Sequence, residues 1–265
     1  MAKIGFIGMG NMGYAILKGL LKLYRPEDIL FTDVNKERMH FVKEKTGVDY
    51  VETNAECANQ SQIVVLAVKP QYYTGVLKNI KYAVKPEQIV ISIAPGITIE
   101  SLKKSLGEDR RIVRAMPNTP ALLGEGMTGV TYERALFSEE EEKEIREFFG
   151  SFGRMEYVEE HLMSAVVCAS GSSPAYVYMF IEALADSAVR YGLPRDKAYF
   201  FAAQAVKGAA DMVLETGKHP GELKDEVCSP AGTTIAGVAA LEEYGFRNAV
   251  LKANEACYRK CEGLK

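Results

Sequence analysis

A chain of 265 residues is longer than one ordinary domain, and 48% hydrophobic with 25% charged residues is the make-up of a folded globular protein, not a disordered one. Its formal net charge of −3 argues against a nucleic-acid surface, which needs clustered Lys and Arg. The five cysteines (Cys57, Cys168, Cys228, Cys257 and Cys261) are scattered and odd in number, which fits reduced thiols in a cytoplasmic compartment. No histidine or acidic motif joins Cys257 and Cys261, so no metal site is expected.

The first apolar run, KIGFIG at 3–8, begins so early that no targeting segment is expected ahead of it. DILFTD (28–33), QIVVLAV (62–68), QIVISIA (88–94) and RIVRAM (111–116) follow, separated by amphipathic stretches. Strands rich in Ile and Val alternating with helices predict an α/β, doubly wound parallel sheet of Rossmann type. Right-handed crossovers then gather the loops after the strands along one edge, where ligands bind.

GFIGMGNMG (5–13) sets Gly8, Gly10 and Gly13 in GxGxxG spacing, directly after a strand and at the start of a helical pattern. Gly8 is expected to make the tight turn, Gly10 to admit a pyrophosphate, and Gly13 to let helix and strand pack closely. The amides of Met9, Asn11 and Met12 then face phosphates at a helix N-terminus, which predicts NADH or NADPH as cofactor. Asp33, closing the second strand, is expected to accept the adenosine ribose hydroxyls and to favour NADH. Asn35 and Lys36 come next and could admit a 2′-phosphate, so NADPH stays open. Ala67, Val68, Lys69 and Pro70 end the third long run beside the cofactor, and Ile93, Ala94 and Pro95 end the fourth. Lys69 is equally a phosphate contact or a solvated strand terminus. In MPNTP (116–120), Pro117 and Pro120 force the chain out of the sheet, leaving Asn118 and Thr119 to line the site.

Runs at 126–131 and 154–158 predict two further strands around a helix at 138–149, whose acidic stretch reads as a solvated face. From about 162 the pattern is helical only: 162–169, 174–191, 195–215, 220–227, and 233 to near the end. This places a dinucleotide-binding domain at 1–160 and a helical domain at 161–265. Residues 162–181 are uncharged for a bilayer's width, but a polar turn at 170–174 is expected to interrupt them, so no membrane span is expected. FAAQAVKGAA (201–210) carries small residues that let helices approach, as in an interlocked dimer or a monomeric bundle.

Hydride transfer to a carbonyl calls for a general acid, and His40, His161 and His219 each read as surface or loop residues. The lysine on which β-hydroxyacid dehydrogenases rely is missing, since no lysine lies between Arg154 and Lys197. A cyclic imine can arrive already protonated, so its reduction needs mainly positioning, with a cradle for a carboxylate and a polar contact for nitrogen. DEVCSPAGTTIAG (225–237) supplies both. A helix starting near Gly232 offers the amides of Gly232, Thr233 and Thr234 to an anion. Ser229 and Thr234 add hydroxyls, and Pro230 fixes the bend.

Taken with AVKP (67–70), ASGSSPAY (169–176), LPRDKA (193–198), HPGELKDEVCSPAGTT (219–234) and GFRNAV (245–250), these motifs make the chain resemble the pyrroline-5-carboxylate reductases over essentially its full length. The resemblance implies a Rossmann domain followed by an all-α dimerisation domain, reducing 1-pyrroline-5-carboxylate to L-proline as the last step of proline biosynthesis. It also implies a homodimer or higher oligomer whose active site joins one subunit's cofactor to the other's helices. By the same resemblance, the substrate carboxylate rests on Gly232, Thr233 and Thr234 with support from Ser229. The Thr234 hydroxyl meets the ring nitrogen, and Asn54, in VETNAE (51–56), meets the adenosine. Ser173 and Pro95 depart from the family pattern. Ala231 stands where a glycine is common, so its backbone is expected to avoid positive φ. Reduction of a related cyclic imine, or NAD(P) binding without turnover in a regulatory protein, are the alternatives.

Overall fold

The computed structural model describes residues 2–264. In chain order come β1 (Ala2–Ile7), α1 (Asn11–Leu20), β2 (Ile29–Thr32), α2 (Lys36–Thr46), β3 (Asp49–Tyr50), α3 (Asn54–Asn59), β4 (Ser61–Leu66) and α4 (Tyr73–Ile80). They are followed by β5 (Ile89–Ser92), α5 (Ile99–Leu106), β6 (Arg111–Met116), β7 (Gly126–Tyr132), α6 (Glu139–Gly150) and β8 (Gly153–Tyr157). The strands form one sheet in the order β3-β2-β1-β4-β5-β6-β7-β8. The first six are parallel, β7 runs antiparallel to β6, and β8 is parallel to β7. The reversal follows from Pro117 and Pro120, which take the chain out of the sheet at the end of β6 and turn it back.

The expected runs are strands, each within two residues of its expected bounds. Successive residues feed opposite layers: Ile63 and Val65 of β4 pack with Phe6, Ile16 and Phe148, while Val64 and Leu66 pack with Leu77, Val90 and Leu102. Both faces are therefore covered, which is why these strands read as unbroken apolar runs. The strand order reverses between β1 and β4, and a crevice opens outside the carboxyl ends of strands at such a point.

The boundary expected at residue 160 falls earlier than the division of contacts, which lies after Ser172. Glu160 explains the shift. Its Oε1 accepts hydrogen bonds from the Ile99 amide at 2.8 Å and from Arg114 Nη1 at 2.9 Å, tying the segment to the sheet. Next come α7 (Met163–Val166), whose Val166 packs on Gly129, and a π-helical turn (Val167–Gly171). The expected polar interruption at 170–174 is therefore no break, because the Ser172 amide reaches back to the Val167 carbonyl at 2.8 Å. Glu160–Arg190 is long and apolar enough to cross a membrane by length and composition.

The second unit, Ser173–Cys257, carries α8 (Ser173–Arg190), α9 (Arg195–Thr216), α10 (Pro220–Val227) and α11 (Thr233–Glu243). It also holds most of α12 (Phe246–Cys261). The single last helix expected from residue 233 is two helices, because Gly245 at φ 73° turns the chain between them. Its buried set is small residues, Ala185, Ala198 and Ala202, where α8 and α9 approach closely. Its large apolar side chains point outward: Met179, Phe200, Phe201 and Leu251 are 62–72% exposed.

Gly5, central in β1, has no room for a side chain. A Cβ there would overlap Ser61 Oγ, a fully buried hydroxyl pinned to the Cys57 carbonyl. Gly5→Ala is predicted to destabilise the fold by about 1–3 kcal/mol, read as a lower urea midpoint at unchanged slope.

Candidate active site

The loop from β1 to α1 uses its three glycines for three different reasons. Gly8 sits at φ 96°, and a Cβ there would meet Val68 Cγ1 at 2.7 Å and the Ala67 carbonyl oxygen at 2.8 Å. A Cβ on Gly13 would meet the Gly8 carbonyl oxygen at 2.8 Å, so Gly13 permits the helix to pack. At Gly10 a Cβ would meet no protein atom within 4 Å. The protein has no need of a glycine there, but a ligand approaching the backbone does. Gly10 is also the N-cap of α1, in extended conformation with no side-chain acceptor, and no acid sits in the first turn. The first-turn amides and the positive end of the helix therefore remain open to an anion.

The carboxyl ends of β1, β4, β5 and β6 converge on a cleft of about 430 Å³. Gly10, Asn11 and Met12 form one wall, and Ala67, Val68, Lys69 and Pro70 another. Ile93, Ala94 and Pro95 line it from the end of β5, and Met116, Pro117, Asn118 and Thr119 from the end of β6. Gly171, in the π-helical turn, completes the lining and was missed from sequence, although it lies in the ASGSSPAY motif. This cleft and its open amides fit a dinucleotide.

Three of the expected cofactor residues behave differently. The Met9 side chain is fully buried, and its amide donates to Asp33 Oδ2 at 2.6 Å, so that amide is not offered to a phosphate. Asp33 Oδ1 accepts the Asn35 amide at 2.9 Å. Asp33 thus braces the loop with both oxygens and is not among the lining residues. Asn54 opens α3, half-buried, and also lies outside the lining. Asn118 lines the cleft, but both ends of its amide are engaged. Nδ2 donates to the Ser170 carbonyl at 3.0 Å, and Oδ1 accepts from the Met127 amide at 2.9 Å.

Of the lining residues only Lys69 carries a titratable side chain. His40 contacts Tyr50 Oη, His161 contacts Glu159, and His219 Nδ1 accepts the Gly221 amide to cap α10. Tyr73 joins the ends of β4 and β5 through the Leu66 carbonyl and Ser92, and burial pushes its phenol up to about 12. It stays protonated at neutral pH as a structural tie.

The SPAGTT bend lies in the second unit, between α10 and α11. The Gly232 amide donates to the Ser229 carbonyl at 3.0 Å, and a Cβ on Gly232 would overlap Ser229 Oγ. Ala231 is at φ 58°, contrary to the expectation that it avoids positive φ, and it is alone among described non-glycine residues in that conformation. The bend enforces it, at a cost of about 1–2 kcal/mol for a residue with a Cβ. Gly232 is the N-cap of α11, again extended, without a side-chain acceptor and without an acid in the first turn. The first-turn amides of Thr233 and Thr234 are free of helical partners, and the side chains of Ser229, Thr233 and Thr234 are exposed beside them. The structure thus places the expected site residues in two groups, the cleft lining in one unit and the SPAGTT bend in the other, with Met9, Asp33 and Asn54 outside the lining.

Residues 160–264 match a family model described as pyrroline-5-carboxylate reductase dimerisation, and residues 3–96 match one described as NADP oxidoreductase, coenzyme F420-dependent. The chain is 49% identical over 264 residues to the pyrroline-5-carboxylate reductase of Escherichia coli, covering 99% of this chain and 98% of that one. It is 38% identical to that of Pisum sativum, covering 98% and 95%. Among solved structures it is similar to the Plasmodium falciparum pyrroline carboxylate reductase with NADP bound, with a TM-score of 0.89, 33% identity, and coverage of 99% and 97%. The Coxiella burnetii pyrroline-5-carboxylate reductase gives a TM-score of 0.91 at 34% identity, with coverage of 100% and 98%.

The open space at Gly10 separates folding from ligand binding. Gly10→Ala is predicted to leave stability within about 0.5 kcal/mol of wild type while weakening NADH and NADPH at least about tenfold. Paired denaturation and coenzyme titrations check both halves.

Proposed function

From the premise that this chain belongs to the pyrroline-5-carboxylate reductase family, we propose that the cleft of the first unit holds NAD(P)H and the SPAGTT bend holds the substrate. The reaction is reduction of 1-pyrroline-5-carboxylate to L-proline, the closing step of proline biosynthesis. Bound NAD(P)H supplies the hydride. Asn11 and Met12 receive the pyrophosphate on their amides, and the loops after β4 and β5 (67–70 and 93–95) hold the coenzyme's length against the sheet edge. Asn118 keeps the wall of that cleft in register by its ties to Ser170 and Met127.

The substrate side rests on one observation above the others, the bare glycine N-cap of α11 flanked by exposed hydroxyls. The free amides of Thr233 and Thr234 cradle the carboxylate beside Gly232, whose own amide is held by the Ser229 carbonyl. Ser229 supports it, and the Thr234 hydroxyl meets the ring nitrogen. The near absence of titratable groups in the cleft suits an iminium, which brings its own proton and charge.

The protein is a homo-oligomer. In this reading it is a cytoplasmic enzyme, and its partners are its substrate, its coenzyme and copies of itself. Each active site joins the cleft of one subunit to the bend of another. The outward apolar faces of the helical unit support that arrangement, as does a groove of about 420 Å³ lined by Phe180, Leu184, Phe246 and Val250.

Mixing the protein with 1-pyrroline-5-carboxylate and NADH or NADPH is predicted to oxidise the coenzyme and yield proline; no oxidation with either would sink the reading. Thr234→Ala is predicted to lower kcat/KM about 10- to 100-fold with coenzyme affinity unchanged.

A further inference from the structure

Arg38 is a half-buried cation with no anion. It is the third residue of α2, and its Nε donates to the Met9 carbonyl at 2.7 Å, on the glycine loop itself. Its guanidinium carbon lies 4.8 Å from the Tyr14 ring centroid and 5.2 Å from that of Phe41. Among the described residues its terminal nitrogens make no hydrogen bond and no acid pairs with it. Asp33, the nearest acid in the loop, has turned both carboxylate oxygens to backbone amides instead.

The position also runs against the helix. The first turn of α2 holds two cations, Lys36 and Arg38, against one acid, Glu37, although the positive end of a helix disfavours cations. Lys36 has only a long contact of 3.8 Å to Glu52. A guanidinium locked between a loop carbonyl and two rings, with its fork free, is arranged to receive a planar or phosphate oxyanion bidentately. In a GxGxxG fold the end of β2 is where the adenosine ribose lies, and an arginine nearby accommodates a 2′-phosphate.

We infer that Arg38 is the residue that selects NADPH over NADH, by taking the 2′-phosphate on its free terminal nitrogens with Lys36 beside it. The inference rests on the coenzyme site proposed above and reverses the preference suggested by Asp33 alone. Asp33 serves the loop, with both carboxylate oxygens on backbone amides.

Equilibrium titration of the full-length protein with each coenzyme, read by coenzyme fluorescence without substrate, tests it. Wild type is expected to bind NADPH more tightly than NADH. Arg38→Met is expected to weaken NADPH at least about tenfold while leaving NADH within about threefold, and Arg38→Lys to restore part of the loss. Equal weakening of both coenzymes would assign Arg38 to loop support alone, and no weakening of NADPH, or tighter wild-type binding of NADH, would equally overturn the inference. Selectivity of this kind in a protein that fails to reduce 1-pyrroline-5-carboxylate would leave the inference standing and remove only the proposed reaction.

Discussion

Helices α1 and α11 each begin on an extended glycine with no side chain to cap it, and the proposed chemistry depends on those two starts. Several other helices have a first-turn amide met by a side chain: Asn35 caps α2, Thr53 caps α3, Thr98 caps α5 and Ser138 caps α6. At α1 and α11 the N-caps are Gly10 and Gly232, both extended, and neither helix has an acid in its first turn. A serine or aspartate at either place would satisfy a first-turn amide and stabilise the free chain by roughly a few tenths of a kcal/mol. That satisfaction would also block the anion. The protein gives up that stability at both starts and leaves donors open, which the proposed function assigns to phosphate at one and carboxylate at the other.

The rest of the fold holds these two starts in place. A sheet buried on both faces fixes β1 and β4 at the crossover point, so the glycine loop and the 67–70 loop form facing walls. The proline-enforced exit after β6 and the π-helical turn close the cleft through Asn118. On the second unit the bend is strained at Ala231, the kind of local cost that persists where geometry serves a ligand. Because the bulk of that unit is small-residue helices with exposed apolar faces, it depends on self-association for its burial.

Much of this was legible in the residues. The long apolar runs marked five strands of the sheet and the two-strand extension, and the glycine spacing marked the loop from β1 to α1, with the tight turn at Gly8 and the close packing at Gly13. What escaped the sequence had particular causes. β3 is two residues long and carries no alternation to detect. The π-helical turn looks like a polar break because Ser170 and Pro174 are poor helix residues in isolation, yet a widened turn accommodates them. Ala231 takes positive φ because the bend around it, closed by Gly232 onto Ser229, overrides the preference of a lone alanine. Asp33 and Met9 satisfy each other, a pairing across 24 residues that no local pattern records. Arg38 was passed over for the same reason: its meaning lies in the partner it lacks.

The central claim is that catalysis joins one subunit's α1 start to another subunit's α11 start. Subunit exchange between Gly10→Ala and Thr234→Ala proteins tests it directly, since each parent is defective at every site. Random mixing makes half the pairs mixed, and one of two sites in each unites an intact cleft with an intact bend, so about a quarter of wild-type activity is predicted to return. A mixture no more active than its parents, with exchange verified, would show that both groups act within one chain and would contradict the account.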